Sequence, residues 1–139
     1  MSGPLVWRAL AAGAGFNVAI SLLMSFGSGF LFGLVGASWF ALLAFVLRVV
    51  SALADIGSGA IAGYIANRDG PLHGALASLI ASLLMLPISF VRMWVASADV
   101  FSALGAAYWI DFGLWTAVGL VLAAIAGFLV VELRRARGA

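Results

Sequence analysis

The sequence predicts an all-α polytopic membrane protein, and three observations carry that prediction. Hydrophobic residues make up 65% of the 139 residues and charged residues only 9%, against about 45–50% and about 25% in soluble domains. Mean hydropathy is +1.22. No formal charge occurs from Ala9 to Leu47, a run longer than the roughly 20 residues that one span requires. Seven cations and five anions are too few to cover a soluble domain of this length, which excludes a water-soluble enzyme, a nucleic-acid-binding module and a disordered tail. Apolar runs this long do not alternate polar and apolar residues, which argues against membrane β-strands. Cysteine is absent, so thiolate chemistry and disulfides are excluded.

The elements follow in order within one domain, 1–139. The N-terminal Met1-Ser2-Gly3-Pro4 has no strongly cationic stretch, and the apolar run after it is too long for a signal peptide's core, so it reads as a retained first span. A first helix is predicted at about 5–32, ending at the turn-like cluster Gly33-Leu34-Val35-Gly36-Ala37-Ser38, and a second at about 38–66. Asn67-Arg68-Asp69-Gly70-Pro71 is the strongest turn signal, and Pro71 suits the first position of a helix because its missing N–H would be unpaired there anyway. That places a third helix at about 71–96, with Pro87 predicting a kink inside it, and a fourth at about 106–133 after a weakly polar link.

Charge sets the expected orientation. Arg8, Arg68, Arg134, Arg135 and Arg137 lie at the N-terminus, the second turn and the C-terminus, whereas the other two connections carry only Asp99. The excess of cations on cytoplasmic loops then predicts an inner-membrane protein with both termini in the cytoplasm. Trp39, Trp94, Tyr108 and Trp109 fall at the predicted outer helix ends, where amphipathic rings suit the headgroup region. Two hairpins are implied, and a weak internal similarity fits either a tandem repeat of the hairpin or chance recurrence in a Leu/Ala/Gly-rich chain. Ser21-Leu22-Leu23-Met24 recurs as Ser82-Leu83-Leu84-Met85, and Ala60-Ile61-Ala62-Gly63-Tyr64 recurs as Ala124-Ile125-Ala126-Gly127-Phe128.

Four charges fall inside the spans, where each costs about 2.5–3.5 kcal/mol at a helix centre. Arg92 and Asp111 have similar predicted depths on consecutive helices, which predicts a rim ion pair. Arg48 and Asp55 lie deeper. They share a face of the second helix with Ser51, but their separation along the axis disfavours a direct pair. Asn17 on the first helix is the expected neighbour. Asn17, Arg48, Ser51 and Asp55 thus form a candidate intramembrane polar cluster. Gly29/Gly33, Gly59/Gly63 and Gly119/Gly127 mark small-residue faces for helix packing. His73, the sole histidine, is read as a capping or headgroup contact; no metal site and no cofactor is predicted.

The stretch Gly57-x-Gly59-Ala60-x-Ala62-Gly63-Tyr64-x-Ala66-x-Arg68-x-Gly70-x-Leu72-His73-Gly74-Ala75-Leu76 resembles a group of functionally uncharacterised, small four-helix prokaryotic integral membrane proteins. These share a Gly/Ala-rich second helix, a short basic turn and a His-Gly start to the third. The resemblance implies the topology and gives Arg68, Gly70, Pro71, His73 and Gly74 a turn-packing role. It implies no activity. Three functions are weighed on the residues. The leading one is a non-enzymatic accessory protein or self-associating bundle, partnered by the lipid bilayer and by further copies or a larger membrane complex. The alternative is a small oligomeric transporter or channel built on the Arg/Asp/Asn cluster. An intramembrane enzyme is disfavoured, because Asp55 and Asp111 differ too far in depth to form a dyad.

Overall fold

A computed structural model describes residues 5–96 and 105–138 of the chain. Four helices are present, α1 (Trp7–Leu34), α2 (Phe40–Ala66), α3 (Gly70–Ala96) and α4 (Ala106–Ala136), with one turn of 3-10 helix at Ala37–Trp39 before α2. There is no strand among the described residues. All four helices are long and apolar enough to cross a membrane. The predicted elements are all present; the ends at Ala66, Ala96 and Ala106 coincide with the prediction, and the other five are displaced by one to three residues. The predicted link carrying Asp99 lies outside the described residues. α3 is helical on both sides of Pro87.

The α2–α3 turn is closed by backbone conformation. Asn67 adopts φ 55°, the left-handed geometry that asparagine tolerates better than most residues, and its N–H returns to the Gly63 carbonyl at 3.0 Å. The turn then locks onto its neighbours. His73 is fully buried. Its Nε2 accepts the Val6 N–H at 3.0 Å, and its Nδ1 lies 3.0 Å from the Asp69 carbonyl oxygen. An N–H facing Nε2 makes Nδ1 the protonated nitrogen, so the ring satisfies the first orphan donor of α1 and one carbonyl of the turn. The histidine is thus a buried staple between α1 and α3, not a headgroup contact. At the same end Arg134 donates to the Tyr64 carbonyl at 2.8 Å and lies over the Tyr64 ring at 4.5 Å, which ties the close of α4 to the close of α2.

α1 and α4 flank the α2–α3 hairpin on opposite sides, each packing against both of its helices. Side-chain size explains how closely they pack. A Cβ added at Gly59 would sit 2.0 Å from the Ala123 carbonyl oxygen, one at Gly63 2.7 Å from the Gly127 Cα, and one at Gly74 2.2 Å from the Ala123 oxygen. Lipid gives helices no hydrophobic reason to associate, so such backbone approach supplies the contact. Gly29 and Gly33 depart from the prediction: nothing lies within 4 Å of a Cβ built at either.

Burial is confined to one half of the bundle. Among the described residues, none is buried in α1 beyond Asn17, in α2 before Ala54, in α3 beyond Ala81 or in α4 before Gly119. The half bearing the basic turn and both termini is therefore tightly packed, and the opposite half is splayed.

Candidate functional site

The floor of the splayed half is built around Asp55. From α2 its Oδ1 accepts hydrogen bonds from Asn17 Nδ2 of α1 at 2.7 Å and from Ser78 Oγ of α3 at 2.6 Å. Its Oδ2 lies against α4, where a Cβ added at Gly119 would meet it at 2.5 Å. Every helix thus touches one carboxylate, and only a glycine at 119 leaves room for it. Asn17, itself buried, accepts through Oδ1 from Ser21 Oγ at 3.2 Å, which fixes its amide orientation. These donors are neutral; among the described residues no cation pairs with Asp55.

About two turns along α2, Arg48 finds its partner on α4. Its Nη2 lies 3.1 and 3.2 Å from the two carboxylate oxygens of Asp111. Trp115 completes the group: its Nε1 donates to Asp111 Oδ1 at 3.1 Å, and its ring lies 4.6 Å below the guanidinium carbon. Both charged side chains keep about half their surface exposed, 44% and 57%. The predicted Arg92–Asp111 pair does not form. Arg92 instead donates to Ser25 Oγ of α1. Depth placed Arg92 and Asp111 together, but the pairing is decided by which helix faces which, and α2 runs parallel against α4 with Asp55 opposite Gly119 and Gly59 opposite Ala123.

Between the two layers lies a cavity of about 320 Å³. Its walls include all four members of the predicted cluster, Asn17, Arg48, Ser51 and Asp55, together with Ser21, Ser82, Asp111 and Trp115. Such a volume falls at the lower end of small-ligand sites, about 300–1,000 Å³. Comparison with known proteins finds no matching family model, no matching curated protein and no matching solved structure. The chemistry of the walls must therefore stand alone. They offer one anionic group held by neutral donors, one ion pair and several hydroxyls, a set suited to polar or ionic guests. Among the described residues no group of three His, Cys, Asp or Glu side chains is placed to hold a metal ion.

Five participants are absent from the predicted site: Ser21, Ser25, Ser78, Ser82 and Trp115. The serines carry a readable signal. Ser21, Ser25 and Ser28 repeat at helical spacing on α1, as Ser78, Ser82 and Ser89 do across nearby turns of α3. Trp115 carries none, because one aromatic residue in an apolar helix has many packing uses.

Proposed function

We propose that this chain is a non-enzymatic membrane protein that binds a small polar or ionic solute between its helices and serves a transport process, alone or as a subunit. The observation that carries this reading is the polar cavity of about 320 Å³, with Asp55 at its floor and the Arg48–Asp111 pair at its rim. Ionisable groups inside a span are costly and face cavities or partners. Here four of them share an open half, while the other half is closed by glycine contacts. Arginine placement orients the open half away from the cytoplasm. The self-associating accessory protein, the leading expectation from the residues alone, becomes the second reading, supported by the broad apolar surface of the splayed half, including Phe26, Phe30, Leu34, Phe45 and Ile110.

The test is binding and flux with one protein preparation. Trp115 lies on the cavity wall, so in a protein whose other four tryptophans are replaced by Phe its fluorescence reports occupancy in lipid nanodiscs. A panel of protons, sodium, chloride and zwitterionic amino acids should yield at least one ligand that changes the signal and crosses proteoliposome membranes. Asp55→Asn and Arg48→Ala should abolish both responses. No response to any panel member, combined with a stable homo-oligomer or a copurifying partner that occludes Trp115, favours the accessory reading instead.

A further inference from the structure

Arg92 lies where a polar chamber and an apolar groove meet. On its inner side is a chamber of about 280 Å³ bearing the hydroxyls of Ser21, Ser25, Ser28 and Ser51. On its outer side, between α1 and α3, is a groove of about 610 Å³ walled by Phe26, Pro87, Ile88, Val91 and Val95. Arg92 lines both. Its guanidinium donates to Ser25 Oγ, and among the described residues no carboxylate pairs with it.

The direction of this side chain is informative. Side chains on a helix lean toward its N-terminus, and the N-terminus of α3 is at the packed end. Arg92 therefore leans into the membrane and away from the nearer surface, the reverse of an arginine that snorkels to water. Ser25 lies nine residues before the end of α1 at Leu34, about 13 Å deep at 1.5 Å per residue. A cation at that depth needs an anion, and the groove beside it needs something apolar. A single molecule meets both needs when a negatively charged headgroup carries a hydrocarbon chain.

We propose that the α1–α3 groove holds one anionic phospholipid. Its phosphoryl group lies on Arg92, its chain lies along Ile88, Val91 and Phe26, and its headgroup hydroxyls face the serine-lined chamber. Phosphate accepts the forked donors of a guanidinium, and Ser25 orients the fork toward the opening. The apolar groove shares no wall residue with the cavity around Asp55, although the serine-lined chamber borders that cavity through Ser21 and Ser51; the lipid site does not depend on the solute-binding reading.

Native mass spectrometry of the full chain in neutral detergent tests this, with phosphatidylglycerol, phosphatidylcholine and free glycerol phosphate as probes. One phosphatidylglycerol should remain bound at concentrations about fivefold below those needed for phosphatidylcholine, the preference that one arginine confers. Arg92→Gln should bring that preference close to unity, and Arg92→Lys should restore part of it. Ile88→Trp, which fills the groove and leaves the charge, should weaken both lipids alike. Arg68→Gln, at the packed end, should leave the preference intact, and circular dichroism should show each variant equally helical. The proposal is overturned by equal binding of the two lipids to the wild type, by an unchanged preference in Arg92→Gln, or by glycerol phosphate displacing the lipid at equal concentration, which would mark a site for free anions.

Discussion

Asp55 is held by amide and hydroxyl donors and has no countercharge among the described residues, so its structural and chemical roles are separable. Removing the carboxylate strands two donors, Asn17 Nδ2 and Ser78 Oγ, both bonded to one oxygen. Unpaired buried donors cost about 1–3 kcal/mol each, with measured interhelical bonds in membranes nearer 0.6 kcal/mol. Asp55→Ala is therefore expected to lower stability by about 1–2 kcal/mol, read by SDS-titration unfolding in mixed micelles. Asp55→Asn keeps an acceptor oxygen of the same reach and should unfold within about 0.5 kcal/mol of wild type. Equal losses in the two variants would assign the role to charge instead of to hydrogen bonding. This residue was legible in the sequence together with Asn17, because both lie near mid-depth on helices joined by a short turn. The partner of Asp111 was not. Depth along an axis can be counted from residue numbers, but azimuth depends on how helices pack, and that choice separates Arg48 from Arg92.

At the scale of elements, α2 and α4 meet through repeat-related positions. Asp55, Gly59 and Gly63 lie opposite Gly119, Ala123 and Gly127, each pair 64 residues apart, the same spacing that relates Ala60–Tyr64 to Ala124–Phe128. Asn17 and Ser78, 61 residues apart like the other repeated segments, both donate to Asp55. The weak repeat in the sequence thus coincides with equivalent residues meeting across the bundle. All four helices were legible from apolar run length and turn chemistry, because those signals are local. Which glycines pack was not, since a small-residue face says that a close approach is possible and leaves open what approaches. Gly59 and Gly33 show the difference. Gly59→Ala would place its Cβ 2.0 Å from a backbone oxygen of α4, forcing two helices apart at a cost of about 1–3 kcal/mol. Gly33→Ala meets nothing within 4 Å and should stabilise α1 by about 0.5–1 kcal/mol through lower backbone entropy. Unfolding in SDS titration checks both signs, and a destabilised Gly33→Ala would mean that the splayed half is packed against something in the membrane.

For the whole molecule, the asymmetry between halves outweighs any single contact. A bundle packed throughout would be a structural element; one packed at one end and open at the other has a floor, a rim and a direction. Asn17, Asp55 and Gly119 form the floor at the level where burial stops, and Arg48 with Asp111 forms the rim. The chain has no cysteine, so single cysteines can map this arrangement without removing any native thiol. Ser51→Cys and Ser82→Cys line the cavity, whereas Ser58→Cys and Ala62→Cys replace residues with no exposed surface. A membrane-impermeant maleimide applied to intact cells should label the first two at least about tenfold faster than the second two, since a thiol reacts only as the solvated thiolate. Arg68→Cys, at the basic turn, should react only after the membrane is permeabilised if the proposed orientation, with the cationic turn on the cytoplasmic side, holds. Labelling of Ser51→Cys and Arg68→Cys from the same side would contradict a bundle closed at its basic end. Failure of Ser51→Cys and Ser82→Cys to react from either side would mean that the cavity is filled in the membrane, by a partner helix or by a second copy.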